Sequence, residues 1–283
     1  MIRIAPAARK KQIPPPIIKN RYVLVEEIGR GKTAKVHRAW DRKNDSEVAV
    51  KLPIVPECLL AKEIFENEGN ALGQVRHPNI VQIIEHGESE FGRFIVMELV
   101  KGRCLNDIMA RRMLSLKKRL MVLADLCNAL AAMHEAGIVH RDVKPKNIIV
   151  CEDERAKLLD FGYANVRSGF SCKHLTRERF GSPFYSAPEL TINSGDPRLD
   201  VYSLGIMMYE MLLKNAPLRV MIAIRLLEIQ HSFKHLKRQV FTGRISQLAG
   251  EIIEAAVHKD PLKRYNSAAA MGETLQMLLR NIE

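Results

Sequence analysis

HRDVKPKN, residues 140–147, sets a carboxylate, Asp142, five residues ahead of an amide, Asn147, in a stretch that Pro145 keeps from continuing as helix. That spacing suits a carboxylate taking a proton from a substrate hydroxyl beside an amide that ligates Mg²⁺. Lys144 lies between them, placed to hold a phosphate in transfer.

Downstream, residues 151–157 read as a hairpin leading into LLDFG, residues 158–162, where Asp160 is a candidate metal ligand. SAPE follows at 186–189. Upstream, VAVK at 48–51 is strand-like; Ala49 leaves room for a flat ring, and Lys51 would reach a nucleotide's phosphates as a point charge.

A lysine buried there needs a carboxylate, and the segment LLAKEIFENEGNALGQV, together with Glu57 just before it, offers Glu57, Glu63, Glu66 and Glu68. Helical periodicity selects Glu68, which shares a face with Ile64 and Leu72 at four-residue spacing. Glu66 is rotated from it by about 200° and points to solvent. A charged group on an apolar stripe is costly unless paired, so Glu68 is assigned to Lys51.

Further upstream, IGRGKTAKV at 28–36 ends one reading in GKT, as a P-loop would. A P-loop requires a glycine at position 26, and Glu26 occupies it. The stretch therefore reads as a glycine loop of another kind, over a sheet formed by YVLVEEI, AKVHRAW, SEVAVKL, IVQIIEHG and RFIVMELV. After Gly102 the pattern turns helical, with Leu116, Leu120, Leu123, Cys127 and Leu130 along one face. DVYSLGIMMYEML is apolar on nearly all sides and belongs in the centre of the larger half.

Glycine loop, VAVK, Glu68, HRDVKPKN, DFG and APE in this order resemble the eukaryotic-type serine/threonine protein kinase family, most like its bacterial members. The resemblance covers residues 22–283 and implies an α+β, bilobal fold: a small β-rich lobe with one key helix at 22–101 and a larger, mainly helical lobe at 102–283. It implies an ATP- and Mg²⁺-dependent phosphotransferase in signalling. Ile28, Gly29, Gly31, Val36, Ala49 and Lys51 would line the nucleotide site, with Met97 guarding its back and Glu98 to Val100 reading the adenine edge. Asp142 resembles the catalytic base and Asn147 and Asp160 the Mg²⁺ ligands, with Lys51, Glu68 and Lys144 assisting. Asp200 would anchor the catalytic loop, and Arg264 would pair with Glu189.

Lys144 and GSPFYSAPE resemble the serine/threonine form, with Ser182 linking Asp142 and Lys144. The stretch 163–180 carries Arg167, Lys173, Arg177 and Arg179 with Ser168, Ser171 and Thr176. Phosphate there would pair with Arg141, so autophosphorylation of this activation segment is expected. A scaffold that keeps the fold without the reaction commonly lacks the lysine, base or metal ligand, and all are present. Small-molecule kinases of the antibiotic-phosphorylating kind lack the HRD arginine and APE.

The chain departs from the family pattern twice. Ala34 replaces the third glycine, where a methyl would stiffen the loop or block a positive φ. Residues 216–239 form an apolar stripe ending in Lys234, His235, Lys237 and Arg238, a candidate docking element.

Composition agrees with a soluble protein: 283 residues, 47% hydrophobic and 27% charged, are ordinary for a globular chain. Cys58, Cys104, Cys127, Cys151 and Cys172 are scattered as free thiols of a reducing compartment, and no apolar run spans a bilayer, so a cytoplasmic location is expected. The net charge of +12 is uneven. Residues 1–21 hold Arg3, Arg9, Lys10, Lys11, Lys19 and Arg21 without an acid, and read as an extended, Pro-containing tail. It is a candidate contact for an acidic partner, nucleic acid or anionic lipid.

Overall fold

A computed structural model describes residues 16–111, 113–166, 184–190, 195–212 and 244–282. Its first half is a six-stranded antiparallel sheet of β1 (Ile17–Ile18), β2 (Tyr22–Arg30), β3 (Ala34–Asp41), β4 (Ser46–Pro53), β5 (Ile83–Ser89) and β6 (Gly92–Glu98), in the order β1-β2-β3-β4-β6-β5. Helix α1 (Leu59–Gly73) interrupts the strands as expected. Strand alternation sorts the sheet's two faces. Val48, Val50 and Leu52 join Ile18, Tyr22, Leu24, Phe94 and Val96 in one core, while Ala49 belongs to a second core shared with α1 and the helical half.

The first core is closed by polar bonds. Arg21 grips Asp41 with two bonds of 2.7 Å, and Glu85 on β5 accepts from Arg21, Tyr22 and Lys19. Strands from opposite ends of the order thus meet, and the sheet is curled. The basic tail was expected to run to residue 21; instead the sheet begins at Ile17, because buried Ile18 supplies apolar area that a solvated arm would waste.

The strand expected at residues 80–87 also begins late. Ile80 and Val81 leave the sheet: Ile80 bridges Leu158 in parallel, with Leu158 N–H donating to Asn79 O at 2.8 Å and Val81 N–H to Leu158 O at 3.0 Å. Their β-branched side chains are buried as a strand's would be, against the other half of the chain.

The second half holds β7 (Gly102–Cys104), α2 (Leu105–Ala110), α3 (Leu116–Glu135), β8 (Ile138–Val139), β9 (Ile148–Cys151), β10 (Ala156–Leu158), β11 (Asn165–Val166), α4 (Arg198–Leu212), α5 (Arg244–Ala256) and α6 (Ala268–Arg280). Ser115 caps α3 by accepting from Lys118 N–H. Leu120, Leu123, Cys127 and Leu130 are buried as expected, but Leu116 in the first turn is 43% exposed. Val122, Leu126, Ala129 and Met133 are buried too, because α3 is central and packs against α4, α6 and β10. On α4 every residue from Leu199 to Tyr209 is buried. No helix among the described residues is long and apolar enough to cross a membrane.

Close approach of α4 to α5 depends on Gly205, where an added Cβ would lie 2.6 Å from Ala256 Cβ and 2.9 Å from Val257 Cγ1. Gly205→Ala gains about 1 kcal/mol of helix propensity. Overpacking against helix-borne atoms costs ~1–3 kcal/mol and prevails. Thermal unfolding should show a Tm lower by about 2–6 °C; an unchanged or raised Tm would show that α5 simply moves aside.

Candidate active site

The glycine stretch is the hairpin between β2 and β3, tightened at its tip by Gly31 N–H donating to Ala34 O at 2.7 Å. A Cβ on Gly29 or Gly31 would meet nothing closer than 3.5 Å. These glycines therefore relieve no internal clash, and they leave the space over the sheet open. Ala34 is buried and its φ is not positive, so its methyl packs into the core without blocking a backbone conformation. Of the two expected effects of its replacing glycine, that removes the blocked positive φ.

Beneath the loop, Val36 pairs with Lys51, and Ala49 with Met97. Ile28 is half exposed at the rim. Glu98, leading out of β6, accepts from Gln82 N–H at 2.8 Å and from Lys157 Nζ at 2.5 Å; Val100 packs against the shared core.

Strand alternation turns Lys51 towards α1, where its Nζ lies 2.6 Å from Glu68 Oε2 and 2.9 Å from Asp160 Oδ1. Glu66, at 43% side-chain exposure, lies 3.4 Å from Arg93. Burial opposes the Lys51 charge, but Asp160 and Glu68 more than offset it and hold its pKa above the ordinary lysine value. Burial pulls Glu68 upward against the same ammonium. Burial would raise Asp160 as well, yet Lys51, then Lys144 and His140, bring it down to about 2. Its side chain remains 38% open to the cleft.

The catalytic-loop candidates are positioned by Asp200. Its buried carboxylate accepts from His140 N–H at 2.8 Å, Arg141 N–H at 2.7 Å and His134 Nε2 at 2.9 Å. These bonds hold Arg141 at φ 64°, a left-handed conformation a non-glycine residue adopts only when its surroundings impose it. His140 Nδ1 accepts from Asp142 N–H and its Nε2 faces Leu159 O, which assigns the ring proton to Nε2.

Asp142 Oδ2 accepts from Lys144 Nζ at 2.5 Å and Asn147 Nδ2 at 3.1 Å, and Asn147 Nδ2 also donates to Asp142 O. Asp142 Oδ1 is buried with no donor among the described residues. Burial raises the Asp142 pKa and Lys144 opposes the rise.

Lys51, Glu68 and Asp160 thus form one cluster and Asp142, Lys144 and Asn147 another, joined by His140 edge-on to Phe161, with ring centroids 5.0 Å apart. Arg264 forks onto Glu189 at 2.5 and 3.0 Å. Ser168, Ser171, Thr176, Ser182 and residues 216–239 lie outside the described residues. Three contributors escape sequence reasoning: His134 on Asp200, Asn79 on Ala156 O, and Asn67 on Gly162 O and Ala164 O. Only Asn67 carries a local signal, as a buried-face polar residue adjoining Glu68.

The arrangement can hold an anionic ligand over Lys51, keep Asp160 ionised as a cation ligand, and present one unengaged carboxylate oxygen as a base. The protein kinase domain family matches residues 22–275. A probable serine/threonine-protein kinase of Clostridium perfringens is 34% identical over 89% of this chain and 37% of its own length. Serine/threonine-protein kinase PrkC of Bacillus subtilis is 34% identical over 90% and 40%, and PknL of Mycobacterium bovis 29% identical over 94% and 67%. The chain therefore spans well under half the length of the first and second of these relatives.

Asp200 sets an acid limit to stability. Burial raises its pKa, but His134, His140 and the backbone donors lower it further, to a net value below the ordinary carboxylate. Its contribution is complete above an unfolded pKa of about 3.9 and lost as pH falls through the folded value. Asp200→Ala strands two backbone N–H groups and should cost about 3–5 kcal/mol in urea unfolding at pH 7. The gap to wild type should shrink at pH 3; a gap independent of pH would mean the carboxylate does not carry it.

Proposed function

The chain belongs to the protein kinase domain family, and from that premise we propose that it is a serine/threonine protein kinase that transfers the terminal phosphate of ATP to hydroxyls of protein substrates. The observation that carries this reading is Asp142: one oxygen tied to Lys144 and Asn147, the other buried without a donor among the described residues. A carboxylate kept so, with its pKa raised by burial, is a stronger base than one in water. Its natural complement is a hydroxyl that donates to Oδ1 and then surrenders its proton.

The donor set fits a nucleotide with a hard cation. Asn147 has its amide nitrogen on Asp142, which leaves Oδ1 as its ligating atom, and Asp160 is ionised at any working pH. Among the described residues no three His, Cys, Asp or Glu side chains form a ready-made metal cage. One carboxylate and one amide are what Mg²⁺ takes when phosphates complete its shell. ATP with Mg²⁺ would supply the phosphoryl group and neutralise charge developing on it. Ile28, Gly29, Gly31, Val36, Ala49 and Met97 enclose the space for the base, with backbone groups from Glu98 to Val100 at its edge. Lys51 orients phosphate, Glu68 holds Lys51, and Lys144 screens the transferring group.

Acceptor class rests on Lys144 and on the names of the bacterial relatives. Autophosphorylation at Ser168, Ser171, Thr176 or Ser182, with Ser182 seating the acceptor, belongs to the same proposal and draws on the cations of that segment. The tail's role narrows: Lys19 and Arg21 are already paired with Glu85 and Asp41, so an acidic partner, nucleic acid or anionic lipid would be met by Arg3, Arg9, Lys10 and Lys11. A cytoplasmic location is supported by Cys58, Cys104, Cys127 and Cys151 all being free.

Transfer from labelled ATP with Mg²⁺, to the protein itself and to a mixed protein substrate, tests the reading against Asp142→Asn. Wild type should label serine or threonine and the variant should not. The amide also relieves a buried, partly unsatisfied carboxylate, so the variant's Tm should equal or exceed wild type, by about 1 kcal/mol in stability. Nucleotide binding without transfer by wild type would point instead to a binding scaffold.

A further inference from the structure

Three successive carbonyls just past Asp160 are each held by a side chain. Asn67 Nδ2 donates to Gly162 O at 3.1 Å and to Ala164 O at 2.7 Å, while Arg141 Nε donates to Tyr163 O at 2.8 Å. The donors come from opposite sides, one from α1 and one from the catalytic loop. Asn67 is 1% exposed, and its two N–H groups against two carbonyls fix which end of the amide is nitrogen.

The surrounding contacts concern the same interface. Ile64, Asn67 and Glu68 share one face of α1 at three- and four-residue spacing. A Cβ on Gly162 would lie 2.6 Å from Ile64 Cγ2 and 3.6 Å from Glu68 Oε2, so helix and backbone meet as closely as the chain allows. Asp160 itself sits at φ 62°, a conformation that persists only where neighbouring bonds over-determine it.

We propose that Asn67 is a positioning residue for the transfer reaction, locking the metal-ligand segment at Asp160 to the helix that carries Glu68. The inference rests on the function proposed above. Without the amide, the polar links between α1 and residues 160–164 among the described residues reduce to Glu68, through the Phe161 N–H and through the Lys51 ammonium it shares with Asp160, which bound phosphates would also draw on. With it, displacing α1 requires breaking two buried backbone-directed bonds, and Asp160 keeps its place while Lys51 turns to its ligand. An aspartate at 67 could not substitute, since its oxygens would face carbonyl oxygens.

The test compares Asn67→Ala and Asn67→Leu, which both remove the donors but differ in volume. Both should lower kcat about tenfold and raise the half-saturating Mg²⁺ concentration several-fold, with KM for the protein substrate unchanged. In the protein without nucleotide, amide hydrogen exchange across residues 161–166 should quicken in both. If Leu restores wild-type kcat, Mg²⁺ response and exchange, Asn67 only fills space and the inference fails; it fails equally if neither variant differs from wild type. Should Ala not fold, Leu decides alone. Wild type that transfers no phosphate defeats the function and this inference together, whereas active wild type with unaltered variants defeats the inference only.

Discussion

One ammonium group lies between carboxylates from the two halves of the molecule. Lys51 reaches Glu68 on α1 and Asp160 beyond β10, and all three are drawn from segments far apart in sequence. Removing the ammonium would leave the buried Glu68 carboxylate facing Asp160 without a cation, a cost of several kcal/mol. The close approach of α1 to Gly162 keeps the elements that carry Glu68 and Asp160 side by side. The triad also explains opposite demands on similar groups: Asp160 is held ionised by the cation it faces, whereas Asp142, with Lys144 as its main compensation, is pushed the other way by burial.

The second constraint is conformational. Arg141 and Asp160 both adopt positive φ without being glycine. Each is fixed by bonds from elsewhere in the fold, Arg141 through Asp200 and Asp160 through Lys51, with Asn67 and Arg141 gripping the carbonyls that follow. Stability is thus drawn from α4 and α1 to hold two strained residues at the site, where the functional side chains must converge.

Much of this was legible in the residues. Periodicity alone chose Glu68 over Glu66, because helical geometry leaves only one of them on the apolar face, and the motif order identified the bilobal architecture that the protein kinase domain match bears out. The failures have physical causes. Ile80 and Val81 look like strand because β-branched side chains suit any extended, buried backbone, and nothing local says that the partner is Leu158. Leu116 fits the apolar stripe of α3, yet it lies in a first turn that the core does not reach. Asn67, Asn79 and His134 bond to groups remote in sequence; Asn67 shows at least as a polar residue beside Glu68 on the helix's buried face, whereas Asn79 and His134 leave no pattern to read. A blocked positive φ was one expected effect of Ala34, and the hairpin does not require that φ.

The bridge between Ile80 and Leu158 has a mechanical meaning. The chain passes from the sheet to the helical half through residues 98–101, and a single such tether would leave the smaller half free to swivel about every axis. Here a second attachment exists, two backbone hydrogen bonds binding residues 79–81 to Leu158, with Glu98 and Lys157 bonded nearby. Two such points resist rotation least about the line through them, and the bonds of Lys51 to Asp160 and of Asn67 to Gly162 and Ala164, set off that line, brace the smaller half against that turn as a strut braces a door.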